Sequence, residues 1–270
     1  MKCMVTGGAG FIGSHVVDRL INEEHTVVVV DDLSAGKIEH LQHHKGNNKV
    51  IIERKSICDD LSPLFRQHAF DVIFHVAARP RVQYSITYPL LTNDINLKGT
   101  LNLLEIAREH KVKRFVFSSS SSVYGNQETL PLQEDMMPKP LSPYALQKLA
   151  GEQYCFLYNR IHGMETVALR YFNVYGSRMD PQGGYAMLIP KFAAMMRRGE
   201  IPTINGDGNQ TRDFTYVGDV VDANLRAATT TNKNCFGKVM NIGSGRNLSV
   251  NQVVAMINNA LGTSILPHHG

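Results

Sequence analysis

Apolar residues along this chain follow two alternating rhythms. Short unbroken runs occur at "CMVTG" (3–7), "TVVVVDD" (26–32), "VIIE" (50–53), "DVIFHVAA" (71–78), "RFVFSS" (114–119) and "ETVALRYFNV" (165–174). Their length and β-branched content are those of strands buried on both faces. Between them lie "FIGSHVVDRLINEE" (11–24), "NLKGTLNLLEIAREH" (96–110) and "PYALQKLAGEQYCFLYNRIHG" (143–163), where apolar positions recur every three to four residues, as on a half-buried helix. This alternation predicts a doubly wound α/β fold, a parallel sheet covered on both faces with ligands at the carboxyl ends of its strands. Beyond about residue 174 the rhythm loosens. "YGSRMDPQGGYAMLIP" (175–190) and "INGDGNQTRDF" (204–214) are turn-rich, and one more amphipathic helix follows at "LSVNQVVAMINNALG" (248–262). The expected organisation is a nucleotide-binding domain over 1–173 and a smaller region over 174–270, partly interleaved with it, that covers the mouth of the sheet.

Composition narrows the class without naming it. The chain has 270 residues, 43% of them hydrophobic and 19% charged, the ordinary balance of a globular protein with a full core. No apolar run approaches the roughly 20 residues that span a bilayer, and strand-like sequence begins directly after Met1-Lys2, so no membrane span or leader is expected. Cys3, Cys58, Cys155 and Cys235 are scattered without disulfide or zinc spacing and read as free thiols in a reducing cytoplasm. The net charge of +4 lies in short clusters, Arg79/Arg81, Lys111/Lys113/Arg114 and Arg197/Arg198, which read as solvated surface and not as a nucleic-acid face. His40, His43 and His44 precede a polar "KGNNK" and read as a solvated loop or helix end, with no metal expected.

Chemistry enters at "TGGAGFIG" (6–13), where Gly7, Gly10 and Gly13 sit between the first strand and the first helix. A tight turn, close approach of backbone to a pyrophosphate and close packing of helix on strand all call for glycine there, and the helix N-terminus faces the phosphates. Asp31 closes the second strand eighteen residues beyond Gly13. Its carboxylate suits the two adenosine ribose hydroxyls and repels a 2′-phosphate, which favours NAD over NADP.

In "SPYALQK" (142–148), Ser142 is placed to cap a helix and Pro143 fits its first turn. Tyr144 and Lys148 then stand one turn apart on one face. A phenol of pKa about 10 is a poor base near neutrality. A neighbouring ammonium and the positive charge of an oxidised nicotinamide are expected to lower that value and make Tyr144 a usable proton acceptor. Lys148 also suits the nicotinamide ribose. "FSSSSSVYG" (117–125) ends a strand in hydroxyls at the sheet mouth, where one serine is placed to hold a sugar hydroxyl and relay its proton.

T-G-x-x-G-x-x-G followed much later by Y-x-x-x-K resembles the extended short-chain dehydrogenase/reductase family, whose core is Rossmann-like. "HVAARPRVQYSITYP", "NLKGT", "LRYFNVYG" and "RDFTYVGDVVDA" are similar to blocks of its UDP-sugar 4-epimerases. The resemblance implies that Ser120, Tyr144 and Lys148 are catalytic, with Ser118, Ser119 and Ser121 as neighbouring alternatives to Ser120. NAD would lie along Gly7, Gly10, Phe11, Ile12, Gly13, Asp31, Asp32, Leu33, Ser34, Gly36, Ser56, Ile57, Ala77, Ala78, Arg79, Asn96, Ser118, Tyr144, Lys148 and Tyr171. The sugar nucleotide would meet Ser120, Tyr144, Asn173, Leu188, Thr203, Asn205 and Arg212. Ser56 stands where the family usually has an acidic residue against adenine. The family pattern also continues past "ILPHHG", so the expectation is a substrate-binding region that is either C-terminally truncated or naturally short.

The implied reaction is transient oxidation at C4 of a UDP-hexose and return of hydride to the opposite face. Ser121-Ser122 carry no carboxylate before Val123-Tyr124-Gly125, which disfavours the dehydratase and decarboxylase branches. A related dehydratase, decarboxylase or reductase remains an alternative, as does a non-catalytic NAD-binding sensor. Resemblance also implies a homodimer paired through the helices at 96–110 and 143–161, with Cys155, Phe156 and Tyr158 either partly buried between copies or buried against the chain's own sheet. Gly183, Gly184 and Ala186 leave room beside C2 for an acetamido group or simply serve the loop's turns.

Overall fold

The computed structural model describes residues 1–180 and 188–270. The chain opens with β1 (Lys2–Thr6), α1 (Phe11–Asn22), β2 (Thr26–Val30), β3 (Val50–Glu53), α2 (Ser62–Gln67), β4 (Val72–His75), α3 (Val82–Thr87) and α4 (Pro89–Asn93). It continues with α5 (Gly99–Glu109), β5 (Arg114–Ser120), α6 (Pro143–His162), β6 (Glu165–Tyr171), β7 (Asn173–Tyr175), α7 (Leu188–Arg197), β8 (Thr203–Ile204) and β9 (Thr211–Tyr216). It ends with α8 (Val217–Thr229), β10 (Lys238–Ile242), β11 (Asn247–Ser249), α9 (Val250–Leu261) and β12 (His268–His269). Two compact units result, one of Met1–Tyr171 with Gly218–Ile242, the other of Phe172–Val217 with Gly243–Gly270.

The first unit is built on a seven-stranded sheet of order β10-β6-β5-β4-β1-β2-β3, every neighbour parallel. This is the doubly wound order with one strand added beside β6. Strand order reverses at β1, which lies between β2 and β4, so the turn after β1 sits at the switch point where such folds bind nucleotides. Met4, Val28, Ile73, Phe115 and Phe117 are fully buried in its core, as the unbroken apolar runs require. Gly151 lets α6 approach β5: a Cβ there would stand 2.5 Å from the Phe117 ring. A mid-helix glycine costs about 1 kcal/mol, and the close approach it permits brings the Tyr144 face of α6 against the end of β5.

Arg114 departs from the solvated-surface expectation. It is buried, pairs with Glu165, and donates from Nη1 to the carbonyls of Ala227 (3.2 Å), Ala228 (2.7 Å) and Thr230 (2.8 Å). A cation there satisfies carbonyls that the end of α8 leaves open. Cys155 and Tyr158 follow the own-sheet alternative. Both are buried in the chain's own core, and only Phe156 of the three expected interface residues is exposed.

The run "ETVALRYFNV" is not one strand. It breaks at Phe172, where β6 ends in the large sheet and β7 begins in the second unit, paired parallel to β9. β11 pairs antiparallel to β9, completing a three-stranded sheet, and β12 pairs with β8. A small core of Phe192, Met196, Ile204, Val250 and Val254 joins α7 to α9 in this unit. The sequence reading assigned no helix to α7 or α8 and no strand to β10. No helix among the described residues is long and apolar enough to cross a membrane.

Candidate active site

The turn after β1 has the constraints its glycines predict, distributed unequally. Gly7 has φ +68, and a Cβ on it would stand 2.8 Å from the Ala77 backbone. A Cβ on Gly13 would reach 2.1 Å from the Gly7 carbonyl oxygen, so Gly13 is needed for packing of helix on turn. Gly10 differs: a Cβ would meet only the Gly7 oxygen, at 3.1 Å. The space its hydrogen leaves is therefore on the open side of the turn. Gly10 also begins α1 with no side-chain cap, leaving the first amides of α1, at Phe11 and Ile12, to an outside acceptor. That opening fits a pyrophosphate.

Asp31 is buried, and its carboxylate accepts from the amides of Ala9 (Oδ2, 2.9 Å) and Leu33 (Oδ1, 2.9 Å). It therefore clamps the glycine turn and its own loop as well as presenting remaining lone pairs. Burial raises its pKa, opposed by those two N–H donors. A Cβ on Gly36 would stand 2.8 Å from the same carboxylate, and Leu33 takes a left-handed φ of +58 to complete the loop. Asp32 accepts from the Ser34 amide at 2.9 Å and faces Arg79 Nη2 at 3.7 Å. Arg79 Nε is buried without a protein partner, an orphaned donor beside this loop.

The other proposed cofactor contacts divide by what their polar atoms already do. Ala77 donates to Thr6 Oγ1 at 3.3 Å, and Ala78 follows it. Asn96 is buried and holds Arg79 at both backbone atoms (Arg79 N to Oδ1, 2.7 Å; Nδ2 to Arg79 O, 3.1 Å) and Gln147 Oε1 (2.8 Å). Ser56 Oγ accepts from Cys58 N at 3.1 Å, and Ile57 packs where a Cβ on Gly99 would collide. The Tyr171 phenol oxygen is bonded to Ser118 Oγ (3.0 Å) and Asn224 Nδ2 (2.7 Å). Asn96 and Tyr171 thus have their polar atoms hydrogen-bonded within the protein.

On α6, Ser142 Oγ accepts from Ala145 N at 3.1 Å and Pro143 opens the helix, as the sequence predicts. Lys148 Nζ donates to the Ser118 carbonyl at 2.7 Å and lies 6.0 Å from the Tyr144 ring centroid. Both side chains are buried. Tyr144 is pushed up to about 12 by burial, opposed by its hydrogen bond with Ser120. Burial lowers Lys148 to about 8, opposed by Glu152. Without cofactor, burial outweighs the Ser120 hydrogen bond and the phenol keeps its proton; the lowering expected from the ammonium and an oxidised nicotinamide together needs that cofactor charge beside it.

Ser120 is the serine beside that phenol. Its oxygen accepts from Ser122 N (3.2 Å) and Ser122 Oγ (2.9 Å), capping a short turn at Ser121–Tyr124 and leaving its own proton to donate. Ser118 is bonded to Tyr171 and Ser119 donates to Glu152, so neither competes for the role.

Two buried groups escaped sequence reading. Glu152 pairs with Arg170 (Oε2 to Nη2, 2.7 Å; Nε to Oε1, 2.9 Å), and both are buried. Tyr144, Lys148 and Glu152 are spaced four apart, a signal that was legible. His75 is also fully buried, and burial lowers its pKa to about 3, so it is neutral. Thr100 Oγ1 donates to Asn96 O, so it accepts from His75 Nε2 (2.8 Å), leaving Nδ1 to accept from Thr6 (2.7 Å). This chain ties the end of β1 to α5.

In the second unit, Asn173 Nδ2 donates to Asp213 O at 3.0 Å, on strands β7 and β9. Arg212, on β9, is exposed and donates to Thr211 O at 2.8 Å. Thr203 and Asn205 are exposed around buried Ile204, and Leu188 packs against the small core containing Ile204. Gly183, Gly184 and Ala186 lie outside the described residues.

A parallel sheet with a glycine turn at its switch point and a Ser-Tyr-Lys face at the end of β5 defines a dinucleotide-dependent enzyme. Residues 3–243 match the NAD dependent epimerase/dehydratase family, and the chain belongs to it. It is 39% identical over 264 residues to UDP-glucose 4-epimerase of Mycolicibacterium smegmatis, covering 97% of this chain and 83% of that one. It is 43% identical over 261 residues to a putative UDP-glucose 4-epimerase of Methanocaldococcus jannaschii, covering 96% and 82%. Among solved structures, UDP-glucose 4-epimerase of Thermotoga maritima with UDP-glucose is similar at TM-score 0.93 and 40% identity, covering 100% of this chain and 85% of that one. UDP-N-acetylglucosamine 4-epimerase of Methanobrevibacter ruminantium is similar at TM-score 0.94 and 37% identity, with 100% and 84% covered.

Proposed function

We propose that this protein inverts C4 of a UDP-hexose, with UDP-N-acetylglucosamine preferred over UDP-glucose. The observation that carries the reading is the Ser120 hydroxyl beside the buried Tyr144 phenol, with no carboxylate from Ser118 to Gly125. A dehydratase or decarboxylase needs an acid in that stretch, and Glu152 is already engaged by Arg170 and Ser119.

NAD, bound along the glycine turn and the Asp31 loop, supplies reversible hydride acceptance and a positive charge near the phenol. Tyr144 takes the C4 hydroxyl proton through or beside Ser120 and later returns it to the oxygen on the inverted carbon. Lys148 holds the nicotinamide ribose, and its ammonium helps the bound positive charge to offset the desolvation of a Tyr144 phenolate. The part containing the seven-stranded sheet is assigned to NAD and the smaller unit to the sugar nucleotide. There, Arg212 and Asn173 suit the diphosphate, and Leu188, Thr203 and Asn205 the uridine.

The working form is a cytoplasmic homodimer. Leu146, Phe156, Leu157 and Ile161 of α6 are exposed, as are Ile86 of α3 and Leu90 of α4. An apolar groove of about 250 Å³ runs between α4 and α6. Such a patch is uncommon on a monomer surface.

The test is incubation with UDP-glucose and with UDP-N-acetylglucosamine, without added cofactor, followed by chromatography. The galacto epimer should form from each, faster from the acetylated sugar. Loss of water or carbon dioxide, or net reduction of added NAD, would assign the alternative chemistries instead. A kcat/KM ratio favouring UDP-glucose would reverse the sugar preference.

A further inference from the structure

The segment after the Asp31 loop returns first to the glycine turn and then to α1. Near its start, Lys37 N donates to Ala9 O at 2.9 Å and His40 Nδ1 does the same at 2.9 Å. At its end, the tight turn Ile38–His44 brings His43 and His44 onto Asp18 of α1. Both Nε2 atoms lie 2.7 Å from one oxygen, Asp18 Oδ1. The sequence predicts a solvated loop or helix end for these histidines, because Asp18 is far from them along the chain and nothing in the local spacing signals the third group.

We infer that Asp18, His43 and His44 form a binding site for a divalent transition-metal cation of the zinc class. The three ligand atoms lie within 4.8 Å of one another. Tetrahedral ligands at about 2.0–2.1 Å from zinc stand roughly 3.3 Å apart, so each imidazole need move outward by only about half an ångström. The donor set is two imidazoles and one carboxylate, which suits zinc, cobalt or nickel and disfavours magnesium and calcium. Burial adds preorganisation: the His44 side chain is 8% exposed and that of Asp18 24%, while His43, at 49%, leaves a way in from solvent.

The bare arrangement is a crowded hydrogen-bond pair. The two rings lie 4.0 Å apart between centroids, close enough for two imidazolium charges to repel, while two neutral rings each direct an N–H at the same oxygen. A cation between the three atoms replaces both protons and satisfies all three lone pairs. Water completes the shell, and no nucleophile or acid of the Tyr144 face is involved. Asp18 lies seven residues along α1 from Phe11, about 10 Å from the cradle at 1.5 Å per residue. The cation would act as a staple, closing the far end of a segment whose near end is already tied to the glycine turn.

The test uses the full chain, stripped of metal by chelation and desalted. Calorimetric titration with zinc chloride should give one zinc per chain and raise the unfolding temperature, while magnesium chloride does neither. Changes outside the first coordination shell already cost roughly 10–100-fold in metal affinity, so loss of a direct ligand in His43→Gln, His44→Gln or Asp18→Asn should weaken zinc at least about tenfold. Each variant should unfold without zinc near the parent's temperature, which separates ligand loss from misfolding. Cobalt in place of zinc should show a nitrogen–oxygen ligand spectrum with no thiolate charge-transfer band. Absence of zinc binding, affinity unchanged in all three variants, or a thiolate band from Cys58 or Cys235 would overturn the assignment.

Discussion

Several proposed site residues of the two units are in opposite states. In the first, Tyr144, Lys148, Asn96, Tyr171 and Asp31 are all buried and already hydrogen-bonded to named partners. In the second, Thr203, Asn205 and Arg212 are exposed, and the Arg212 guanidinium donates to the carbonyl of the adjacent Thr211. Buried, pre-bonded groups hold fixed geometry and perturbed pKa values, which is what proton transfer needs. Exposed donors adjust to a ligand and contribute binding. The lesson is a division of labour: changes in the first unit should act on kcat, changes in the second on KM.

The largest expected effect is Tyr144→Phe. Removal of a positioned acid–base group costs roughly 10²–10⁴ in rate, and the lost phenol oxygen is hydrogen-bonded to Ser120. kcat should fall by that factor, with NAD affinity and the unfolding temperature nearly unchanged. Activity within severalfold of the parent would remove Tyr144 from the chemistry.

Lys148→Met sharpens the same contrast through stability. The folded pKa of about 8 lies below the ordinary lysine value of 10.5, so the buried ammonium opposes folding below pH 8, and this cost fades as pH rises from 8 to 10.5. Without cofactor, Lys148→Met should therefore be more stable than the parent at pH 7, by about 1–3 kcal/mol after loss of its bond to Ser118. The gain should shrink toward pH 10.5, while turnover is lost. A destabilised variant at pH 7 would show that the ammonium is better accommodated than its burial implies.

How much of this was legible follows the same division. The glycine turn, Asp31, the Ser142-Pro143 helix start and the Tyr144/Lys148 spacing are local signals, and each appears in the structure where the sequence placed it. Long-range partnerships were not legible. Arg114 looked like surface because the carbonyls at the end of α8 lie more than a hundred residues away. The break at Phe172 was hidden because β6 and β7 are both apolar, and only their partners, β5 and β9, separate them. The raised Tyr144 pKa was missed because burial is not a property of spacing.

In the second unit, Arg212→Ala should raise KM for the sugar nucleotide about tenfold with kcat within twofold to threefold, the size of one charge-assisted hydrogen bond on an exposed site. A fall in kcat instead would mean that Arg212 orders the reacting end and would break the division. The smallest expected effect on catalysis is Ile161→Asp on the exposed face of α6. It should convert a dimer to a monomer by light scattering with little loss of turnover per chain, and a parent that is already monomeric at micromolar concentration would contradict the dimer.

The central claim is that oxidation and its reversal both occur at C4 within one active site. The most direct measurement is NMR of the products formed from UDP-N-acetylglucosamine deuterated at C4, in ordinary water and without added cofactor. The account predicts that deuterium remains at C4 in both epimers, with no solvent hydrogen entering the sugar and no net reduced cofactor. Loss of the label to solvent, or its appearance at another carbon, would contradict it.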